Sequence, residues 1–158
     1  MKKITGDLIS LAENGHFDVI IQGCNCWNVM GSGLAGQIKS KYVQAYNADC
    51  KTKRGDYNKL GNYSFVEVES KKKQNYKFTI VNAYTQYGFS KGEDVFEYTS
   101  FALILQKLSY QFACKKLGFP LIGCGLAGGN ESAITGLLSA FADDFEDSGG
   151  SCTLVEFL

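Results

Sequence analysis

The sequence predicts an α/β protein in which a mixed, mostly parallel central sheet carries helices on both faces, a three-layer α/β/α arrangement. Three observations point to it. Short runs rich in β-branched and aromatic residues alternate with segments of helical period. The run Val19-Ile20-Ile21 is continuous rather than alternating, as a strand covered on both faces requires. Two glycine-rich segments each lead from a strand into a helix, the usual place for ligands in such sheets.

The strands are expected at residues 2–4, 18–22, 63–68, 76–82, 119–123 and 152–157. Between the third and fourth, Lys71, Lys72 and Lys73 with Gln74-Asn75 read as a solvated hairpin turn. Leu34, Ile38, Tyr42 and Tyr46 recur at every fourth position and form one helical stripe. The longest helix is expected over 98–117, with Phe101, Ile104, Leu105, Leu108 and Phe112 on one face and Gly118 as its stop. A third helix over about 132–145 has Ile134, Leu137, Leu138 and Phe141 on one side, with Ser132 or Asn130 as N-cap.

With 158 residues the chain has the length of one domain, and folding at that size buries roughly 70% of the unfolded surface. No linker, repeat or low-complexity tract interrupts it, so one domain over 1–158 is expected. Lys plus Arg and Asp plus Glu each total 16, which leaves no basic footprint for duplex nucleic acid or an anionic membrane. A compact anion site made of backbone N–H groups adds no formal charge and stays compatible with that balance. The start MKKITGDLIS has no apolar stretch of export-signal type, and no run is long enough to span a bilayer. A cytoplasmic monomer is therefore expected. The six cysteines, Cys24, Cys26, Cys50, Cys114, Cys124 and Cys152, then read as reduced, buried thiols. Only Cys24 and Cys26 are close together, and no second pair or nearby histidine completes a zinc site. No metal or cofactor is expected. His16, in the polar turn Glu13-Asn14-Gly15-His16, reads as a surface residue.

The chemistry lies in the two loops. The first runs Gly23-Cys24-Asn25-Cys26-Trp27-Asn28-Val29-Met30-Gly31-Ser32-Gly33-Leu34-Ala35. Gly31 and Gly33 let backbone approach a ligand, and the helix N-terminus behind them offers unpaired N–H groups to an anion. The second, Gly123-Cys124-Gly125-Leu126-Ala127-Gly128-Gly129-Asn130, places four glycines within seven residues. Together they suit a clamp around a diphosphate. Neither loop ends in the Lys-Ser/Thr of an ATP-binding P-loop, and neither matches G-x-G-x-x-G.

Ile4-Thr5-Gly6-Asp7-Leu8-Ile9, then Val19-Ile20-Ile21-Gln22-Gly23-Cys24-Asn25, then Gly31-Ser32-Gly33-Leu34-Ala35, and later Pro120-Leu121-Ile122 with the second loop, stand in the order of a macrodomain. The sequence resembles that family over nearly its whole length. It is most similar to the phage, bacterial and fungal branch that holds ADP-ribose 1″-phosphate phosphatases and enzymes removing ADP-ribose from glutamyl or nucleobase sites. The resemblance implies ADP-ribose, or an ADP-ribosylated group, as ligand. It implies Asp7, beside Leu8, as acceptor for the adenine amino group and Asn25 as partner of the distal ribose. Gly31, Ser32, Gly33 and Leu34 match the first phosphate loop; Gly123, Gly125, Leu126, Ala127, Gly128 and Gly129 match the second. Tyr84, in Asn82-Ala83-Tyr84-Thr85-Gln86-Tyr87, matches a segment beside the distal ribose; with Tyr87 and Trp27 it is also a candidate for stacking on base or sugar.

The resemblance further implies hydrolysis at the distal ribose C1″, with Asn25, Gln22 and Asn130 at the catalytic positions. Phosphatase-type relatives often carry a histidine where Gln22 stands and an aspartate where Asn130 stands. Relatives that work through a lysine adduct have a lysine and an aspartate where this chain has Asn82 or Ala83, and Ala127; that route is excluded. Amides orient water but do not take its proton. A general base is worth about two to four powers of ten in rate, so slow substrate-assisted hydrolysis and binding without turnover both remain open. Glu131, Asp94 and Glu97 are the remaining acids near the loops.

Overall fold

The computed structural model describes residues 1–89, 95–123 and 127–157. Six strands, β1 (Lys2–Thr5), β2 (Val19–Cys24), β3 (Tyr63–Glu69), β4 (Lys77–Tyr84), β5 (Lys116–Phe119) and β6 (Ser151–Glu156), form one sheet in the order β1-β6-β5-β2-β4-β3. Every neighbouring pair is parallel except β3 with β4, the hairpin edge. Among the described residues the helices are α1 (Leu8–Glu13), α2 (Gly33–Lys41), α3 (Val43–Cys50), α4 (Tyr98–Gln111) and α5 (Glu131–Asp147), with a 3-10 turn at Tyr57–Lys59.

Alternation along the strands sorts the core into two layers. Val19, Ile21, Val81, Ala83, Leu117 and Phe119 face α4 and α5, packing on Phe101, Ile104, Leu108, Ile134 and Leu138. Ile20, Phe78, Ile80 and Val155 face the other way, against Leu8 and Ile9 of α1, Ile38 of α2 and Ala45 of α3. Three layers, helix–sheet–helix, result, as expected. The arrangement matches the predicted α/β class.

Several boundaries differ from expectation. The fourth-residue stripe 34–46 belongs to two helices, because Tyr42 between them adopts φ −135°, ψ 77° and turns the chain. The long helix ends at Gln111, six residues before the expected end at 117, and Cys114 enters the left-handed region at φ 65°. The following residues go into β5, because Leu117 and Phe119 fill the sheet interior. Gly118 is therefore not a helix stop: it lies in the strand, where a Cβ would stand 2.7 Å from the Phe17 ring. The strand expected at 119–123 is displaced to Lys116–Phe119 because Pro120 has no N–H to extend the ladder. Helix α1, with 6 residues, is too short for its period to stand out in the sequence. Cys24, Cys26 and Cys152 are buried as expected, but Cys50 and Cys114 are exposed; Cys124 lies outside the described residues. His16 is exposed.

Candidate functional site

Neighbouring strands β2 and β5 send their following connections to opposite faces of the sheet, β2 to α2 and β5 to α5. Such a divergence opens a crevice at the carboxyl edge. Here the register widens it. β5 pairs with β2 only at Val19↔Leu117 and Ile20↔Gly118, while β2 continues along β4 as far as Cys24↔Tyr84. The gap beyond Pro120 is a cleft of about 400 Å³. It is lined by residues 22–25, Val29 and 31–35 from the first glycine loop, by 120–123 and Ala127 from the second, and by Gln86 and Phe89 after β4.

The α2 end of the cleft presents backbone donors. Ser32 is the N-cap of α2, yet its hydroxyl makes no capping bond, and no acidic residue occupies the first turn. The first bond of the helix is Gly36 N–H to Ser32 C=O at 3.0 Å. The N–H groups of Gly33, Leu34 and Ala35 stand ahead of it, unpaired within the helix and next to the cleft. Gly33 has φ 58° and nothing within 4 Å of where a Cβ would lie, so it supplies the left-handed turn that swings these donors into place. Opposite, Gly129 N–H donates to the Gly123 carbonyl at 2.8 Å and closes the second loop. Gly123 has φ 77°, and a Cβ there would fall 2.2 Å from Phe96.

Asn25 holds the first loop in shape. Its Oδ1 accepts from the Trp27 N–H at 2.8 Å, and its Nδ2 donates to the Val29 carbonyl at 2.9 Å. One Nδ2 hydrogen remains for a ligand. Gln22, 2% exposed, donates through Nε2 to Asn82 Oδ1 at 2.8 Å and faces the Met30 sulfur at 3.8 Å. Behind the loop, Lys59 Nζ donates to the Cys26 carbonyl and to Asn28 Oδ1. Among the described lining residues the only ionisable side chain is Cys24. Burial, reinforced by the Asp49 charge, pushes its thiol well above the ordinary range, so it stays protonated and unreactive. The Cys26 thiol is likewise pushed up by burial, to about 11.

No family model matches the chain. It is 36% identical to the "uncharacterized 17.5 kDa protein in tk-vs intergenic region" of Enterobacteria phage T4, covering 92% of each chain. The chain belongs to the family of that phage protein. Its fold is that of the macrodomain of Mycobacterium tuberculosis DarG, at TM-score 0.72 and 17% identity over 98% of this chain and 95% of that one. The Thermosipho africanus DarTG structure, solved in complex with ADP-ribose, matches at TM-score 0.74 and 18% identity, covering 96% of this chain and 40% of that longer one.

On this macrodomain framework the residues singled out from the sequence fall into three groups. Gln22, Asn25, Gly31, Ser32, Gly33, Leu34, Gly123 and Ala127 meet at the cleft. Asp7, Leu8, Tyr84, Gly128, Gly129 and Asn130 do not line it. Gly125 and Leu126, like the acid Asp94, lie outside the described residues. Asp7 stands at the carboxyl end of β1 as the N-cap of α1, its Oδ1 accepting from Ser10 N–H at 3.0 Å, and Leu8 is buried behind it. Asn130 caps α5, its Oδ1 accepting from Ala133 N–H at 3.0 Å.

For Tyr84 the structure gives a role other than stacking on a ligand. It is 1% exposed, and its hydroxyl bonds Asp49 Oδ1 at 2.7 Å and Ser64 at 2.8 Å, because β4 directs it to the α3 face. Trp27 and Tyr87 pack against each other, and Tyr57 stacks on Tyr87 at 3.6 Å. Gln86 and Phe89 reach the cleft although the sequence pattern assigns them no role. Gln86 lies within the segment 82–87 and Phe89 two residues beyond it, so the turn after β4 is the signal that could have found them.

Proposed function

We propose that the cleft binds ADP-ribose, free or attached to another molecule. The observation that carries this is the uncapped N-terminus of α2 opening on a cleft whose far wall is the second glycine loop. A diphosphate between these walls receives N–H donors and a helix dipole without needing a basic side chain. Asp7 stands two strands from β5 along the same edge, about 10 Å away at ~4.8 Å per strand. An adenosine reaching from the diphosphate toward β1 can therefore present its exocyclic amine to the carboxylate oxygen that does not cap α1. Asn25 offers its spare Nδ2 hydrogen to the distal ribose. The Thermosipho protein, solved with ADP-ribose, supports this choice of ligand through its shared fold.

Calorimetry tests the reading directly. ADP-ribose should bind more tightly than AMP or ribose 5-phosphate, since only it spans Asp7, the diphosphate walls and Asn25. Equal affinity for AMP would sink the two-loop clamp.

A second reading adds hydrolysis at C1″: water adds to that carbon, the bond to the phosphate or acceptor oxygen breaks, and the leaving group takes up the proton. Gln22 and Asn25, both in the cleft wall, supply the polar groups that would orient this water. With no carboxylate or histidine among the described lining residues, turnover would draw on the substrate's own oxygens as base and be slow. Inorganic phosphate released from ADP-ribose 1″-phosphate measures it. Binding of ADP-ribose without phosphate release, and without release of ADP-ribose from modified protein or nucleic acid, leaves a binding module.

A further inference from the structure

We infer that Asn82 is a positioning residue: it locks the Gln22 amide so that the floor of the cleft accepts a hydrogen bond from a ligand hydroxyl. This rests on the ADP-ribose reading of the cleft and adds a specificity contact to it.

The direction of each bond is set by a group that has no choice. The Ala45 carbonyl in α3 can only accept, and Asn82 Nδ2 lies 3.0 Å from it, with Ser64 Oγ at 3.0 Å beside it. The Asn82 amide nitrogen must therefore point toward α3, which turns its Oδ1 toward β2. Parallel register makes Gln22 the partner of Asn82 across the ladder, so the two side chains share one face. Asn82 Oδ1 can only accept, and the Gln22 group 2.8 Å away must be its NH₂.

The Gln22 oxygen is what remains. Both residues are buried, at 2% and 0% exposure, and Gln22 Oε1 has no hydrogen-bond partner among the described residues. Turning the amide over to pair it differently would set two oxygens against each other at Asn82. A buried, bare carbonyl beside a ligand cleft is costly when empty and favourable when a donor reaches it. An O–H group can supply that donor; a phosphate oxygen cannot, and is repelled. The cleft is thus polarised, with donors at the α2 N-terminus for the diphosphate and an acceptor at Gln22 for a sugar hydroxyl.

The test compares ADP-ribose with its 2″-deoxy and 3″-deoxy analogues by calorimetry on four proteins: wild type, Gln22→Met, Asn82→Asp and Asn82→Leu. In wild type, loss of the bonded hydroxyl should lower affinity about tenfold, the size of one hydrogen bond to a buried acceptor. In Gln22→Met, which keeps volume but removes the acceptor, that difference should vanish. Asn82→Asp still accepts from Gln22 and should keep the discrimination; Asn82→Leu releases the amide and should lose it. Both Asn82 variants lose the bond to Ala45 and should melt lower, so a merely structural role would move them together. Equal deoxy penalties in wild type and Gln22→Met overturn the inference while leaving ADP-ribose binding intact. Failure of wild type to bind ADP-ribose overturns both.

Discussion

Lys59 Nζ donates to Asn28 Oδ1 at 2.8 Å, and this contact ties the first glycine loop to the 3-10 turn of Tyr57–Lys59. Asn28 sits at φ 58°, a left-handed conformation that asparagine tolerates better than most residues. The same ammonium holds the Cys26 carbonyl at 3.1 Å and lies 4.7 Å over the Tyr84 ring. Lys59 is buried and absent from the cleft wall, and it shapes the loop that carries Asn25.

Lys59→Met should therefore weaken ADP-ribose binding without removing any ligand contact. It takes the ammonium donor from the Cys26 carbonyl, which keeps the Gly55 N–H, and from the half-buried Asn28 Oδ1, which keeps the Thr52 hydroxyl, so a stability loss of about 1 kcal/mol is expected. Calorimetry and denaturant melts read the two effects separately. Full affinity in a folded Lys59→Met protein would show that the loop keeps its shape without the ammonium.

Two glycines should respond differently to alanine. At Gly33 a Cβ meets nothing, so Gly33→Ala costs only the left-handed backbone, about 1–2 kcal/mol, while any shift of the turn withdraws the N–H donors. At Gly123 the Cβ would collide with Phe96, so Gly123→Ala adds a packing penalty to the same strain and should melt lower. Valine at Gly33 should nearly abolish ligand binding in a folded protein. Normal binding by that variant would reduce Gly33 to a turn residue.

Asp7→Ala carries two consequences that can be separated. Loss of the α1 cap should lower stability by about 1 kcal/mol whatever ligand is present. Loss of the adenine acceptor should weaken ADP-ribose by roughly 1–3 kcal/mol, yet scarcely affect an analogue whose base lacks the exocyclic amine. Equal losses for both ligands would mean that Asp7 acts through the helix cap alone.

Asp49 gives a pH dependence of known sign. Burial raises its carboxyl pKa above 3.8, although the Tyr84 hydrogen bond and the Lys59 charge pull the other way. The folded state then holds the proton more tightly than the unfolded state, so this group contributes most stability at acid pH and loses it as pH rises through the raised value. A neutral amide in its place carries no such penalty. Asp49→Asn should be the more stable protein at neutral pH, with its advantage shrinking as pH falls toward 3.8. Parallel stability–pH curves for the two proteins would show that the buried carboxyl titrates normally.

By itself the sequence determined the features that arise from near neighbours along the chain. The continuous run Val19-Ile20-Ile21 specified a covered strand, the stripe on α4 specified a helix, and Ser132 or Asn130 specified a cap that the structure assigns to Asn130, because period and capping depend on residues within a few positions. The glycine loops were legible for the same reason. Tertiary structure decided whatever depends on residues far apart. Gly118 read as a helix stop until Phe17, distant in sequence, took the space above it in β5. Tyr84 read as a ligand contact until strand register turned its ring toward Asp49. The direction of the Gln22 amide follows from a carbonyl at Ala45, reached through Asn82, and no local pattern encodes it. The cleft itself exists because β5 stops at Pro120 while β2 runs on to Cys24, a mismatch in length that appears only when the two strands lie side by side.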